Sequence, residues 1–500
     1  MSERAGERTV EEHTERHGLG RSAARGGMVV LGGQGVRILV QVASVAVLSR
    51  LLTPRDYGLV AMVLAVVAVA EIFRDFGLST AAVQAKTLTR AQQSNLWWLN
   101  TALGLGLALL AVAAAPLIAA LYDEPALTAL TAAMAGMFVL NGMAAQYRAD
   151  LTRRMLFTRL AAASCLAPLL ALAVAAYAAA NGAGYWALAV QQLVQAAVGL
   201  VAAGVFAGWL PGRPRRGVEM SGFLRFGWSL AGTQLINYAA SNIDSVLIGT
   251  RLGAHELGTY NRAWQLLMNP LVQLRGPTTT VALPVLSRIR DNPALTQRFV
   301  QRGQVALGYS LGAGLGLLAG AAAPVCALFL GPGWDVAGIF ALLACAGLFQ
   351  TLAYVGYWVY LAHGLTTELR HYTLVASALK VLCVLVGVRY GVTGVAVGYA
   401  TAHLLEWPLS LWWISRRTRL RVGPLYLGAA RILLVAGAVA AAAYATAQAL
   451  HGQPPGVTVP VCVVAGAAAY ALLLLVPPIR RDVMSLVVTV RGAIGPRLPG

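Results

Sequence analysis

From residue 28 onward the chain alternates long apolar runs with short polar breaks. The runs cover 28–48, 58–73, 96–120, 126–147, 160–180, 184–207, 223–248, 259–284, 305–330, 336–361, 371–388, 391–414, 425–447 and 457–477. Most are close to the roughly 20 residues that a helix needs to cross a bilayer's hydrocarbon core. The run at 58–73 is short and continues past Glu71. The run at 259–284 contains Pro270, Pro277 and Pro284, which a membrane helix tolerates where neighbours or water satisfy the freed backbone groups. The pattern predicts an all-α polytopic membrane protein with about 14 transmembrane helices.

Polar positions within the runs add a second pattern. GGQGVRILVQVASVAVLSRLL (Gly32 to Leu52) parallels AGTQLINYAASNIDSVLIGTRL (Ala231 to Leu252). Gln34 falls against Gln234, Arg37 against Asn237, Gln41 against Ser241 and Ser44 against Asp244. Spacings of three and four place each set on one stripe of its helix. A charged turn follows both segments, SRLLTPRDYGLV (Ser49 to Val60) and TRLGAHELGTY (Thr250 to Tyr260). NGAGYWALAV (Asn181 to Val190) and YGVTGVAVGY (Tyr390 to Tyr399) then introduce the sixth and twelfth runs. The chain therefore reads as two six-helix lobes, 28–207 and 223–414, joined by a cytoplasmic linker at 208–222. Two more helices fill 425–477, and polar tails cover 1–27 and 478–500. Six spans return the chain to its starting side, so the lobes are parallel repeats about an axis along the membrane normal.

Composition supports a membrane solvent. The chain is 58% hydrophobic and 11% charged, where soluble domains carry about 25% charged residues. Cys165, Cys326, Cys345, Cys383 and Cys462 all lie in apolar runs and form no CxxC pair, so they read as small buried hydrophobes, with no metal site or cofactor implied. The net charge of +19 is dispersed between the runs, which argues against a nucleic-acid partner and for contact with anionic membrane lipids. With the N-terminus in the cytoplasm, 29 of the 38 Lys and Arg residues fall on the inner side. Arg50, Arg55, Arg251, Arg262 and Arg389 fall outside, and Arg37, Arg275, Lys380 and Arg431 lie within runs. This asymmetry predicts cytoplasmic termini. Residues 1–27 have no apolar core of a signal peptide and are expected to be a disordered cytoplasmic tail.

Ionisable groups in hydrocarbon are expensive and face the interior or a wet cavity. Arg37 and Arg275 are the candidate cations, the latter beside Gly276 and Pro277, where a helix break would make a cavity wall or hinge. Asp244 is the candidate acid, either paired with Arg37 or Arg275 or coupled to protons or sodium. Gln34, Gln41, Gln234 and Asn237 are candidate hydrogen-bonding partners for a polar cargo, or polar glue between helices. Arg74 and Asp75 end the second run and are candidates for a cytoplasmic mouth. Glu71 and Glu406 read as helix-end charges, and Trp97, Trp98, Trp209, Trp334, Trp412 and Trp413 as an interfacial belt. No P-loop is present, and the short outer loops argue against a membrane-embedded polymerase or ligase.

The first helix followed by SRLLTPRDYGLVAM and FRDFGLSTAAVQ (Phe73 to Gln84), with the Ile243 to Gly249 and GAGYWAL stretches, resembles the polysaccharide exporters of the multidrug/oligosaccharidyl-lipid/polysaccharide superfamily. The likeness runs over roughly residues 20 to 480 and is strongest to flippases of the O-antigen and colanic-acid type. It implies a non-enzymatic carrier of undecaprenyl-diphosphate-linked oligosaccharides, working by alternating access around a central cationic cavity in the bacterial inner membrane. It implies for Arg37 a role in binding the anionic carrier head. Functional association with a polysaccharide polymerase and glycosyltransferases, and activity as a monomer, are expected on the same ground. An ion-coupled drug exporter of the same superfamily is the alternative.

Overall fold

The computed structural model describes residues 32–75, 78–85, 88–215, 217, 242–331, 333–418 and 420–494. The tail at 1–27, linker residues 216 and 218–222, and the Gln234 and Asn237 stripe lie outside these residues. The chain forms two compact units, one ending at Ala239 and the other beginning at Ala240.

The first unit holds α1 (Gly32–Ser49), α2 (Pro54–Asp75), α3 (Leu78–Gln84), α4 (Arg90–Tyr122), α5 (Ala126–Met134), α6 (Gly136–Arg153), α7 (Phe157–Ala180) and α8 (Tyr185–Ala207). The charged turn between α1 and α2 is a helix cap. The Asp56 carboxylate accepts the Thr53 amide and hydroxyl at 2.9 and 2.7 Å. Arg55 reaches Glu124, in the turn between α4 and α5, at 3.0 Å. Thr89 and Gln92 close a reciprocal capping box at the start of α4. The two long helices α4 and α6 pack closely at Gly104 and Gly142, where a Cβ would run into the opposing backbone. Trp97, Tyr147, Leu151, Ala203, Ala207 and Trp209 form a core cluster of this unit. Trp97 and Trp209, expected in the interfacial belt, are thus buried. Trp98 is the more exposed member of its pair and donates from its ring N–H to the Gly212 carbonyl.

The second unit begins with α9 over 242–252 and continues through α10 (Ala254–Ile289), α11 (Pro293–Leu307), a π-helical turn (Gly308–Gly312), α12 (Ala313–Gly320) and α13 (Ala322–Leu330). It ends with α14 (Ala337–Ala362), α15 (Thr366–Gly387), a 3-10 turn (Val388–Tyr390), α16 (Gly391–Arg417), α17 (Gly423–Ala449), α18 (Pro455–Leu473) and α19 (Pro477–Ile494). α14 is the central element, packed against α10, α12 and α16. Its apolar run is hydrophobic all round because neighbours cover it on several sides.

α10 stays helical through all three prolines, so no helix break occurs at Arg275. Pro270, Pro277 and Pro284 are seven residues apart, nearly two full turns, and so share one face. The run expected at 305–330 is bent by 81° between the α11–α12 stretch and α13. The segment 478–500 carries the amphipathic α19, which packs on α11.

The all-helical, multi-span architecture is as expected. Among the described residues, nine helices are long and apolar enough to cross a membrane, or ten if the bent pair is one span. One of the nine, Thr366–Arg417, is a hairpin that reverses at Gly391, where φ is 77°. Its arms α15 and α16 pack closely, and a Cβ on Gly398 would run into the Cys383 carbonyl. The expected count of about 14 is not reached among these residues. α10 is too polar for that measure, and most of the 223–248 run lies outside them.

Candidate functional site

The second unit buries a chain of polar side chains contributed by α9, α10, α14, α15 and α16. Asp244 on α9 is 3% exposed. Its carboxylate accepts the Tyr260 hydroxyl from α10 at 2.7 Å and the Ser245 amide at 3.0 Å. One face of α10 carries Tyr260, Ala263, Leu267, Leu271 and Arg275 inward at spacings of three and four. This apolar stripe takes Arg275 into the packing of α14, leaving it 6% exposed.

There the guanidinium donates from Nη2 to Gln350 Oε1 at 2.9 Å and lies over the Tyr354 ring at 5.5 Å. Its Nε has no hydrogen-bond partner among the described residues. Gln350 Nε2 donates onward to Tyr399 Oη at 2.8 Å and faces His403 Nε2 at 2.9 Å. His403 Nδ1 is hydrogen-bonded to Glu406 Oε2. The Tyr372 hydroxyl donates to Glu406 Oε1 at 3.1 Å. Lys380 on α15 lies within electrostatic range of both Asp244 and Glu406. The rings of Tyr260, Trp264, Tyr399 and His403 adjoin in sequence, with successive centroids 6.0, 5.1 and 4.5 Å apart.

Proton positions in this chain follow from donor and acceptor rules. Arg275 can only donate, so Gln350 must turn its oxygen toward it. The amide nitrogen, a donor, then faces His403, whose Nε2 must be the acceptor. A neutral imidazole with an accepting Nε2 carries its proton on Nδ1, which donates to Glu406. The orientation of the amide and the imidazole tautomer are thus set by the arginine at the far end of the chain. Both carboxylates, Asp244 and Glu406, are engaged by hydroxyl, amide or imidazole donors. Arg275 is left with a neutral amide as its hydrogen-bond acceptor among the described residues.

The first unit places the other predicted residues. Arg37 is exposed on α1 and donates to Gln34 Oε1 at 2.8 Å, one turn earlier. Gln41 is half-buried on the same helix, and Ser44, next on the stripe, accepts Gln191 Nε2 at 2.8 Å. Arg74 and Asp75 end α2, and their side chains lie outside the description. Gln234 and Asn237 lie outside it altogether. Glu71 accepts Asn141 Nδ2 at 3.1 Å from α6. Arg431 on α17 reaches Asp482 of α19 at 2.8 Å.

The sequence reading singled out Asp244 and Arg275 but not the residues that link Arg275 to Glu406. Glu406, read as a helix-end charge, is a half-buried acceptor in the chain. A signal existed: Tyr399, His403 and Glu406 lie four and three apart in an otherwise apolar run, which places them on one face of α16. Gln350 and Tyr354 show the same spacing on α14.

Comparisons with known proteins agree with this architecture. A family model described as "Polysaccharide biosynthesis protein" matches residues 47–339. The teichuronic acid biosynthesis protein TuaB of Bacillus subtilis (strain 168) is 26% identical over 454 residues, covering 87% of this chain and 92% of TuaB. The lipopolysaccharide biosynthesis protein WzxC of Escherichia coli (strain K12) is 27% identical over 255 residues, covering 49% of this chain and 50% of WzxC. Among solved structures, the lipid II flippase MurJ in an inward closed conformation superposes with a TM-score of 0.71. That match is 12% identical and covers 92% of this chain and 100% of MurJ; it is a likeness of fold.

Proposed function

Since the chain belongs to the polysaccharide biosynthesis protein family, we propose that it is a flippase for undecaprenyl-diphosphate-linked oligosaccharides. It carries these units by alternating access from the cytoplasmic to the outer leaflet of the bacterial inner membrane, for surface or exopolysaccharide synthesis. Glycosyltransferases supply its cargo on one side, and a polysaccharide polymerase consumes it on the other. Both termini are cytoplasmic, and the monomer is the working unit. TuaB and WzxC, named for polysaccharide biosynthesis, support the cargo class.

The observation that carries this reading is Arg275. A guanidinium 6% exposed within a membrane protein is costly unless an opposite charge meets it during the work cycle. Glu406 lies within electrostatic range, but the hydrogen-bond acceptor is a neutral amide, and Nε has none among the described residues. A diphosphate offers the bidentate oxygens that a guanidinium fork fits. Arg37 and Gln34 on α1, with Gln41, Gln234 and Asn237, supply further contacts to the carrier head and sugars, and Arg74 and Asp75 form the cytoplasmic mouth. Asp244 holds a coupling ion, a proton or sodium. Even without coupling, outward movement of an anion toward an outside-positive potential yields about 2.3 kcal/mol per charge per 100 mV.

The test is translocation of lipid-linked oligosaccharides by the purified chain in proteoliposomes, with Arg37→Ala, Arg275→Gln and Asp244→Asn as probes. The wild type moves the glycan lipid, and each variant moves it at least tenfold more slowly. Normal transport by all three removes the site. Movement of drug cations with no glycan lipid replaces the function with that of a drug exporter.

A further inference from the structure

We propose that His403 Nε2 is a proton-binding site, and that its occupation and the Arg275–Gln350 hydrogen bond exclude each other. The reasoning needs only the directions of four hydrogen bonds. With Gln350 Oε1 held by Arg275, the amide nitrogen points two donor hydrogens at Tyr399 Oη and His403 Nε2. A proton arriving on Nε2 makes that atom a donor as well. Two donors 2.9 Å apart cannot share a hydrogen bond. The amide must rotate so that Oε1 accepts the new N–H, which turns its nitrogen toward Arg275. The guanidinium then loses its acceptor. One proton on His403 thus frees one buried guanidinium, and anything that draws Arg275 off Gln350 frees the amide to rotate and strengthens proton binding.

The site is equipped to hold the imidazolium. Nδ1 already faces the Glu406 carboxylate, so the added charge arises beside a fixed anion that Tyr372 orients from α15. The charged and titratable groups around His403 are Glu406 and Tyr399 on its own helix, Tyr372 and Lys380 on α15, and Arg275 on α10. Lys380 and Arg275 oppose protonation by their charge, and moving Arg275 away relieves part of that opposition as well. By linkage, the proton and the group that takes Arg275 promote each other's binding by the same factor. This inference rests on the proposed function only in calling that group an anion. Asp244 is hydrogen-bonded to Tyr260 and Ser245 and not to this amide; it acts on this cluster only electrostatically, through Lys380 and Tyr399.

The experiment is nitrogen NMR of the full-length chain in nanodiscs with labelled histidine, following His403 through a pH titration. Its signals are identified by their loss in His403→Asn. Arg275→Met is expected to let His403 protonate at about tenfold lower proton concentration, the effect of losing one charge-assisted hydrogen-bond constraint. Loss of the arginine charge alone could shift the titration too, so the comparison is repeated in the Gln350→Met background. There the same Arg275→Met change should have less than about a third of that effect. Equal shifts in both backgrounds, or none in either, overturn the coupling through the amide. Arg275→Lys keeps a pure donor and should titrate like the wild type; a shift as large as that of Arg275→Met also overturns it. If Arg275→Met does not fold, Arg275→Gln releases the same constraint. Farnesyl diphosphate added to the wild type should promote protonation of His403. Its failure to do so, with the mutant cycle intact, removes the anion from Arg275 and leaves the proton site standing.

Discussion

Asp56 illustrates how a charged residue in an apolar chain can have a local purpose. Its carboxylate satisfies the Thr53 amide and hydroxyl at the start of α2, where the helix leaves donors unpaired. Asp56→Ala should cost about 1 kcal/mol, the usual value of a cap, read as a lower unfolding temperature in detergent. Arg55 is different: its side chain is 64% exposed in its pair with Glu124, and Arg55→Ala should cost no more than about 0.5 kcal/mol. Asp244 represents the opposite extreme. Buried with one hydroxyl donor and one amide donor, it depends on Tyr260. Tyr260→Phe should destabilise the protein by roughly 1.5–3 kcal/mol, the range for hydrogen bonds to charged groups. In the Asp244→Asn background the same change should cost clearly less, because a neutral amide needs the hydroxyl less. Equal costs in both backgrounds would mean that Tyr260 acts through packing alone.

Elements were legible wherever one local signal sufficed. The hairpin of α15 and α16 shows in the break before Gly391, and α4 in its apolar run at 96–120. What could not be read was anything requiring knowledge of which helices adjoin. Arg275 beside Pro277 suggested a break, yet α10 runs on because its inward stripe packs continuously on α14. The polar chain from Arg275 to Glu406 crosses three helices, so no single stretch displays it. The 81° bend falls at Ala321, between α12 and α13, a residue with no turn chemistry of its own. Close approach of α12 to α17 does have a sequence trace in Gly316 and Gly320, four apart. A Cβ on either would run into the backbone carbonyl of Ala436 or Ala440. Gly316→Val should therefore lower the unfolding temperature by several degrees, with a cost of at least about 2 kcal/mol from overpacking. Gly314→Val, on the same helix with open space at its Cβ, should change it far less. If both lower it equally, the loss comes from helix propensity and not from the α12–α17 contact.

For the whole molecule, the arginine distribution and the repeat make one joint demand. The sequence repeat predicts that the α1–α2 turn and the α9–α10 turn share one side of the membrane, with an even number of spans between them. The charge bias predicts both outside and the α10–α11 turn inside. A change of one span in the first lobe would leave Arg55 where it is and move Arg251 to the opposite face. Arg55 and Arg251 are both exposed, and so is Arg290, which makes the three positions reporters of topology. In a chain whose five native cysteines are replaced, Arg55→Cys and Arg251→Cys should react with a membrane-impermeant maleimide in intact spheroplasts. Arg290→Cys should react only after the membrane is opened. Labelling of Arg55→Cys but not Arg251→Cys would mean an odd number of spans between the turns, and the parallel repeat would fall. Labelling of Arg290→Cys alone would mean an inverted chain, with most of its arginines on the outer face. A carrier that collects an anionic lipid from the cytoplasmic leaflet needs its cations on the inner face at the start of the cycle, so that result would remove the proposed direction of transport along with the topology.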